Sequence, residues 1–516
     1  ATGGGGAGAG AGFAGGGAGL VGGFIGLLQQ LQQIRNTEES LGQQVRTLAL
    51  LEAYLDAGFI DLTQVDQFRQ SIETERANLL QSRISLQNGI ESYLTGTLSL
   101  PPNVPVQLDD TLIKQFQFVD PRLSAIQDRI LDLQRRIGEL PAPPTRESLR
   151  NVIARAKAEM RAIKALEPGV KKDIERVDEV APIRKERMSE TEKSIFDRDM
   201  QFEKDKFAEL VKRLEEDGSE LDQIRDGLEE ADPTDTRDQL VDWVATMLRT
   251  TQEVSLVQAR ARLETIMVEP IDLRPEEAFQ IALENRLDIM NSRAALVDSW
   301  RLIQFNADRL QAGLNVVFSG DMSTTGNNAA KFQGPTGQLR ASLQFDAPFT
   351  RLIERNNYRQ ALIDFQRSRR GFIQSLDSIN RGLRALLRQM EQLRVNLEIQ
   401  RRAVAISIRR VDVTAEDLQR PPQAAAPGQS PQFGPTAAVN SLTALSDMRN
   451  TLNNFMSVWL NYHANRMRLA RELGIMQLDD QGRWLDTGLD IVNGGPEEVD
   501  APAPLPLELL EDATGS

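Results

Sequence analysis

The chain has 516 residues, of which 40% are hydrophobic and 26% charged, but only 5% are aromatic. Its net charge of −14 argues against a nucleic-acid partner, because no face of such a protein would attract phosphate strongly. Without cysteine there can be neither a disulfide framework nor a thiolate metal site. Since Leu, Ile, Val and Ala supply most of the apolar surface, the composition is typical of thin helix-to-helix seams.

The start of the chain differs in composition from the rest. It begins Ala-Thr-Gly-Gly without Met and shows no signal-peptide pattern, so we interpret it as a processed or truncated product. Residues 1–26 are rich in Gly and Ala, which favours a flexible low-complexity segment, with a glycine-rich hairpin facing a membrane as the alternative. No run of about 18–20 apolar residues occurs, so no transmembrane helix is predicted.

Residues 27–110 are predicted to form two helical arms joined by a turn at 57–63, with the break at Gly58. Prolines after residue 100 end the second arm, because proline lacks an amide donor and clashes with the preceding helical turn. Apolar residues on both sides of the break are mostly three, four or seven apart, which predicts helices that pack along one face. They are Leu48, Leu51, Leu55, Val65, Phe68, Ile72, Leu79, Leu86, Ile90 and Tyr93.

Residues 111–271 are predicted to be a helical coiled-coil insertion. A seam of apolar residues in steps of three and four covers 120–140, and prolines follow it. The segment 145–231 is highly charged but keeps a heptad pattern, so coiled-coil hairpins are favoured over disorder. A further helix is predicted over about 235–267. Asp109 and Asp110 are interpreted as turn residues.

Residues 272–484 combine helices with two predicted strands. A helix opens at Pro275 and is predicted to continue to about 312. Alternation of apolar and polar residues then predicts strands at 314–319 and 339–346, joined by a long hairpin loop. From Pro348 a helix of about 65–70 residues follows, on the order of 100 Å long. A Pro/Gln/Ala-rich insertion covers 420–436, another long heptad helix follows, and the acidic tail 485–516 is predicted to be disordered.

No constellation of catalytic or metal-binding residues is apparent. His463 is the only histidine, so a histidine-rich metal site or a Ser-His-Asp triad cannot be built, and a structural role is favoured for it. The glycines at 3–6 and 15–17 lack the Gly-Lys-Ser/Thr of a phosphate-binding loop. We therefore predict no catalytic residue, no cofactor, no metal and no enzymatic activity.

The order of these elements resembles the TolC-like outer membrane efflux family. The segment from Ala57 to Gln67 is similar to the family's helix-tip turn, and the segment from Pro275 to Ile289 is similar to the opening helix of a repeat. Ala347-Pro348-Phe349 with Arg351 resembles the exit from the second strand into the descending helix. The resemblance implies a mainly α fold, in which long coiled-coil helices form an α-helical barrel and strands contribute to a trimeric transmembrane β-barrel.

The resemblance also implies partners and surface residues. A periplasmic adaptor protein would contact the tip at Gly58, Phe59, Ile60, Asp61 and Thr63, and an inner-membrane pump would supply the energy. An equally weighted alternative is that Gly58 merely permits a tight turn and that Phe59 and Ile60 pack internally. The membrane-facing residues of the strands would be Leu314, Val316, Phe318, Leu339, Ala341, Leu343 and Phe345. Asp56, Asp61 and Asp66 could line a narrow entrance that favours cations.

Two interpretations of function remain open at this point. The first is a passive exit duct, a homotrimer in the bacterial outer membrane that extends into the periplasm. The alternative is a coiled-coil scaffold of the envelope or cytoplasm with no pore, in which 314–346 is only a small hairpin. Three departures from the family pattern bear on the first. The first repeat lacks its opening helix and first strand, the segment 111–271 is larger than usual, and 420–436 replaces a compact second tip.

Overall fold

The computed structural model describes residues 21–485 apart from 57, 142, 325, 333, 347–350, 421–432, 435, 481 and 483. The predictions for residues 1–20, for the 347–349 motif, for most of 420–436 and for the tail after residue 485 therefore lie outside the described residues. The chain divides into two units. The first is formed by the chain up to Pro270 together with Met390–Asn465, and the second by Ile271–Gln389 and the chain from Arg466 onward.

Long helices dominate both units, and one antiparallel hairpin is the main β element. The helices are α1 (Gly23–Asp56), α2 (Leu62–Gly96), α3 (Pro121–Gly138), α4 (Arg146–Lys164), α5 (Glu167–Lys185), α6 (Glu190–Gly227), α7 (Pro233–Thr265), α8 (Pro275–Asn285), α9 (Leu287–Asp308), α10 (Leu352–Gln419) and α11 (Ala437–Leu473). The strands are β1 (Gly313–Asp321), β2 (Gln338–Asp346), β3 (Gln477–Leu478) and β4 (Trp484–Leu485). The mainly α fold with very long helices is confirmed.

In the first unit, α1 and α2 form the predicted pair of arms. Leu51 of α1 packs against Val65, Phe68 and Ile72 of α2, which are four of the residues that the apolar spacing selects. Leu418 of α10 belongs to the same cluster, as does a residue of α11. The ends of both helical pairs thus share one apolar core.

Residues 121–265, α3 to α7, form a helical bundle with a core of its own. Trp243 is fully buried there, and its indole Nε1 donates a 2.7 Å hydrogen bond to the backbone carbonyl of Asp217. The helices begin at residues suited to capping. Ser189 and Glu192 form a capping box at the start of α6, and the Asp232 side chain accepts from the amide of Thr234 ahead of α7. These local signals explain why a highly charged segment is helical.

Side chains of α10 and α11 bind the chain where α7 ends. The last carbonyls of a helix have no partner within it. Here the Arg401 guanidinium donates to the carbonyls of Leu263 and Ile266. Trp459 Nε1 and the Tyr462 hydroxyl donate to the next carbonyls along the chain, those of Met267 and Glu269, at 2.9 and 2.6 Å. The end of the insertion is therefore held by hydrogen bonds from the second helical pair.

In the second unit, α8 and α9 precede the β1–β2 hairpin. The prediction of one continuous helix over 275–312 is wrong at Arg286, which is extended (φ −80°, ψ 115°) and separates α8 from α9. Arg286 binds Asp288 and Glu472 at 2.8 Å, and the backbone of Gly474 lies directly against Asn285. These contacts favour the extended backbone at this position. They involve residues distant in the chain, so helical spacing could not show them.

Three short elements were not predicted. Residues Thr111–Phe116 form a 3-10 helix that buries Ile113 and Phe116, and Gly334–Thr336 form another in the hairpin loop. Strands β3 and β4 make a two-residue ladder after α11. Elements this short carry too few residues to show a period in the sequence.

Candidate docking and membrane surfaces

The first candidate surface is the first tip, which consists of the turn at 58–61 between α1 and α2 and the first two residues of α2. Gly58 has φ +76°, a left-handed conformation that glycine adopts without a steric penalty. The amides of Gly58 and Phe59 donate to the carbonyls of Leu55 and Tyr54 at 3.0 and 2.8 Å, which satisfies the end of α1. Asp61 is extended and precedes α2. The turn is thus closed by its own backbone.

The first tip is also held by the segment that joins α10 and α11. Ile60 is 4% exposed and belongs to the shared apolar core, while Phe59 is half-buried with its ring edge-to-face against Tyr54. The amide of Phe433 donates to the carbonyl of Phe59 at 2.9 Å, and its ring lies 4.8 Å from that of Tyr54. The Tyr54 hydroxyl donates to the carbonyl of Leu418 at 2.7 Å. Phe59 and Ile60 therefore pack within the chain.

The tip residues that remain exposed are Gly58, Asp61, Leu62 and Thr63. Of the five predicted contact residues, three are thus accessible, one is half-buried and Ile60 is not accessible. Sequence reasoning missed Leu62, which is 55% exposed at the first position of α2. It lies three residues before the buried Val65, and that spacing suits an inward position. Phe433 was missed because the Pro-rich segment around it shows no helical or strand period.

The three carboxylates proposed for a pore entrance differ in their surroundings. Asp56, Asp61 and Asp66 are all exposed. Asp66 is paired with Arg69 at 3.2 Å, and Arg69 also binds Glu52 at 2.7 Å. Within the described part of the chain, the Asp56 and Asp61 carboxylates have no ion-pair partner. These two are the free negative charges of the tip.

The second candidate surface is the apolar face of the β1–β2 hairpin. Antiparallel register places Leu314 opposite Phe345, Val316 opposite Leu343 and Phe318 opposite Ala341, with Leu339 opposite Gly320. All seven residues predicted to face a membrane therefore lie on one face, because side chains alternate between faces along a strand. Phe318 is 70% and Leu339 80% exposed, and the other five are exposed as well.

The opposite face of the hairpin is mainly polar. Across the two strands, Asn315 lies opposite Gln344 and Ser319 lies opposite Arg340. Val317, opposite Ser342, is the apolar residue on this face. Both faces are exposed. In a soluble protein the apolar face of a strand pair normally packs against the core, whereas in this hairpin it is exposed.

No metal site is found in the part of the chain that the structure describes. No group of three or more acidic or histidine side chains is placed to hold a metal ion. The ring of His463 stacks on Trp459 with centroids 5.4 Å apart. Among the described residues, no helix is long and apolar enough to cross a lipid bilayer.

Comparison with known proteins gives likenesses of structure only. No family model matches the chain. No curated protein matches it either. The chain is similar to the solved Neisseria gonorrhoeae MtrE outer membrane channel, with 14% identity, a TM-score of 0.31, and coverage of 69% of this chain and 71% of the other. It is also similar to the Campylobacter jejuni CmeC outer membrane channel, with 10% identity, a TM-score of 0.32, and coverage of 73% of this chain and 72% of the other. For the Vibrio cholerae outer membrane protein VceC the identity is 10% and the TM-score 0.31, with coverage of 70% of this chain and 76% of the other.

Proposed function

We propose that the chain is the outer membrane channel component of an efflux or secretion system. The observation that carries this proposal is the hairpin, whose seven apolar side chains share one exposed face. Exposure of such a face to water costs roughly 25 cal/mol of free energy for each Å² of apolar surface, whereas contact with lipid removes that cost. A scaffold without a pore would need that face packed against helices.

The hairpin alone cannot be stable within lipid. Its two outer edges carry unpaired backbone groups, and each such group costs several kcal/mol in a hydrocarbon environment. Pairing with strands from other copies of the chain would satisfy them. We therefore propose a homotrimer in the outer membrane, in which the hairpins join into one closed sheet and the helical arms extend into the periplasm.

The first unit supports a hydrated passage alongside the arms. A groove of about 370 Å³ between α1, α2 and α11 is lined only by polar and charged residues. They include Gln30, Thr37, Asn78, Ser82 and Asn453. A tube of helices with such a lining would pass solutes without binding any of them tightly. The chain would therefore be a passive duct, with the cargo chosen by an inner-membrane pump.

The exposed part of the first tip would be the docking surface for a periplasmic adaptor. Leu62 supplies an apolar contact, and Gly58 and Thr63 allow close approach of another helix. Asp56 and Asp61 would give the entrance a preference for cations, with Asp66 a weaker contributor since Arg69 neutralises it. Phe59 and Ile60 would act indirectly, by holding the turn in place.

A pair of variants on adjacent residues of β1 tests the channel proposal. Phe318→Arg places a charge on the apolar face, at a cost of about 2–4 kcal/mol if that face meets lipid. Val317→Arg places the same charge on the polar face, opposite the uncharged Ser342, and is the control. The full-length protein should require detergent for extraction from the outer membrane fraction. Light scattering should then give three times the 57.4 kDa of one chain. Phe318→Arg should reduce the membrane-inserted fraction, and Val317→Arg should not.

Other outcomes would favour the scaffold. A monomer or dimer that is soluble without detergent is incompatible with a channel. Equal behaviour of the two arginine variants would also contradict a lipid-facing role for Phe318.

A further inference from the structure

A cavity of about 240 Å³ lies within the first unit, enclosed by α1, α3, α7, α10 and α11. Four leucines form apolar parts of its wall, namely Leu50, Leu131, Leu248 and Leu418. The only ionisable groups in its wall besides Tyr54 are two arginines, Arg46 and Arg249. The rest of the wall includes neutral polar residues such as Gln134 and Thr246. A cavity that combines apolar and neutral polar surface with two cationic groups is suited to an anion with an apolar body.

Arg46 is buried, and part of its hydrogen-bonding capacity is unused in the described part of the chain. The residue is 4% exposed, and only its Nη1 makes a close contact, with Asp128 at 2.6 Å. Its Nη2 lies 3.6 Å from Glu39, and among the described residues neither Nη2 nor Nε has a hydrogen-bond partner. Both carboxylates are much more exposed than the arginine. Since unsatisfied donors of a buried charged group are costly, a further acceptor near Arg46 would be stabilising.

Arg249 provides a second cation with spare hydrogen-bonding capacity. Its Nε is buried and has no hydrogen-bond partner in the described part of the chain, although the Glu253 carboxylate lies 3.7 Å away. Arg249 also borders a larger crevice of about 440 Å³ between α6, α7 and α10. That crevice contains five carboxylates, Asp205, Glu209, Glu253, Asp412 and Glu416, whereas none lines the smaller cavity. The two neighbouring spaces therefore differ in charge, and only the smaller one suits an anion.

We propose that this cavity binds a small amphipathic anion, with its carboxylate or similar head near Arg46 and Arg249 and its apolar body against the four leucines. Charge-assisted hydrogen bonds from guanidinium groups would fix the head. Burial of the body would supply the remaining affinity. All walls belong to one chain, so the site would be present whether or not the chain forms a channel.

Calorimetric titration of the full-length protein in detergent tests the site, with benzoate as the probe. Benzamide has the same shape without the charge, and acetate has the charge without the ring. We expect saturable binding of one benzoate per chain. Benzamide and acetate should each bind at least about ten-fold more weakly, because each lacks one half of the recognition.

Variants distinguish the cavity from general binding of anions. Arg249→Gln should weaken benzoate binding at least about ten-fold, which corresponds to the loss of one charge-assisted interaction. Arg237→Gln, on the same helix, is the control. Arg237 lines neither space and pairs with Asp238, so this variant's affinity for benzoate should stay within about two-fold of the wild type's. Leu131→Trp should abolish binding by filling the space and leaves both arginines in place.

Circular dichroism of each variant shows whether the fold is retained, and Leu131→Trp serves if Arg249→Gln does not fold. Three results would overturn the proposal. These are no saturable benzoate binding, equal affinity for benzamide and benzoate, or unchanged affinity in both Arg249→Gln and Leu131→Trp. The last would indicate a cavity filled by water alone.

Discussion

Asp217 of α6 is a carboxylate buried among the helices of the insertion. Burial raises its pKa from 3.8 to about 6, with a further contribution from the charge of Glu220. Its only described side-chain hydrogen bond is a long one of 3.5 Å, from the hydroxyl of Thr250. The folded state therefore holds the proton more tightly than the unfolded state does. The contribution of the protonated Asp217 to the free energy of unfolding is fully present below about pH 4 and is lost as the pH rises to about 6.

We predict that Asp217→Asn stabilises the protein at neutral pH. The variant cannot ionise, so it should gain about 2–3 kcal/mol over the wild type above pH 6. The difference should vanish near pH 4, where the wild-type carboxyl is protonated in the folded state. Urea unfolding at several pH values measures it. Asp377→Asn, at an exposed position in the middle of α10, is the control and should change the free energy of unfolding by less than about 0.5 kcal/mol at each pH. A constant difference at all pH values would contradict the buried-carboxylate explanation.

Two glycines with left-handed backbone give a second prediction at this scale. Gly58 and Gly474 have φ of +76° and +78°, but only Gly474 is crowded. A Cβ on Gly58 would meet none of the described residues within 4 Å, whereas one on Gly474 would lie 2.9 Å from the Asn285 carbonyl carbon. Gly58→Ala should therefore cost about 1 kcal/mol, from backbone conformation alone. Gly474→Ala should cost about 3 kcal/mol, since the backbone must also move. Urea unfolding compares them, and equal losses would contradict the contact with Asn285.

At the scale of elements, the C-terminal end of α7 depends on a side chain from another helix. Arg401 is buried and donates to two carbonyls there, and it also lies near Phe455 and Glu398. The surrounding network includes Arg184, Arg260 and Glu264, which are also buried. Although burial acts in the opposite direction, the nearby arginines hold the pKa of Glu264 below its usual value. The insertion is thus connected to α10 by a network of buried arginines and glutamates.

We predict that Arg401→Met destabilises the first unit by about 3–5 kcal/mol, because removing one member leaves buried polar groups without partners. Arg402→Met is the matched control. Its side chain is mostly exposed and pairs with Glu192 at the surface, so its loss should cost less than about 1 kcal/mol. Thermal unfolding of both variants in the same detergent measures the difference. Similar effects of the two substitutions would show that the buried network contributes little.

The ends of most long elements could be predicted because each has a local chemical cause. Gly58, the prolines after residue 100 and Pro275 act through backbone geometry, which does not depend on distant contacts. The break at Arg286 could not be predicted. It accompanies an ion pair with Glu472 and the close approach of Gly474, and both lie far along the chain.

For the whole molecule, the proposed docking of an adaptor gives a further prediction. Leu62→Asp should weaken docking by about ten-fold, because an exposed apolar contact becomes a charge. Gln70→Asp adds the same charge at an exposed position farther along α2 and is the control. Dye efflux should fall in cells that produce Leu62→Asp and stay unchanged with Gln70→Asp. Both proteins should retain the wild-type mass in light scattering. Normal efflux by the Leu62→Asp protein would show that the exposed tip is not part of the docking surface.

The sequence by itself determined the mainly α fold, the long arms, the hairpin and its single apolar face. These follow from residue periods of about 3.6 and 2, which each segment carries in its own side chains. Only the tertiary structure decided that Ile60 is buried, that Phe433 contacts the first tip, and that two arginines share one cavity. Each of these joins residues from segments far apart in the chain. Their proximity depends on how helices pack, and the spacing within one helix does not record that.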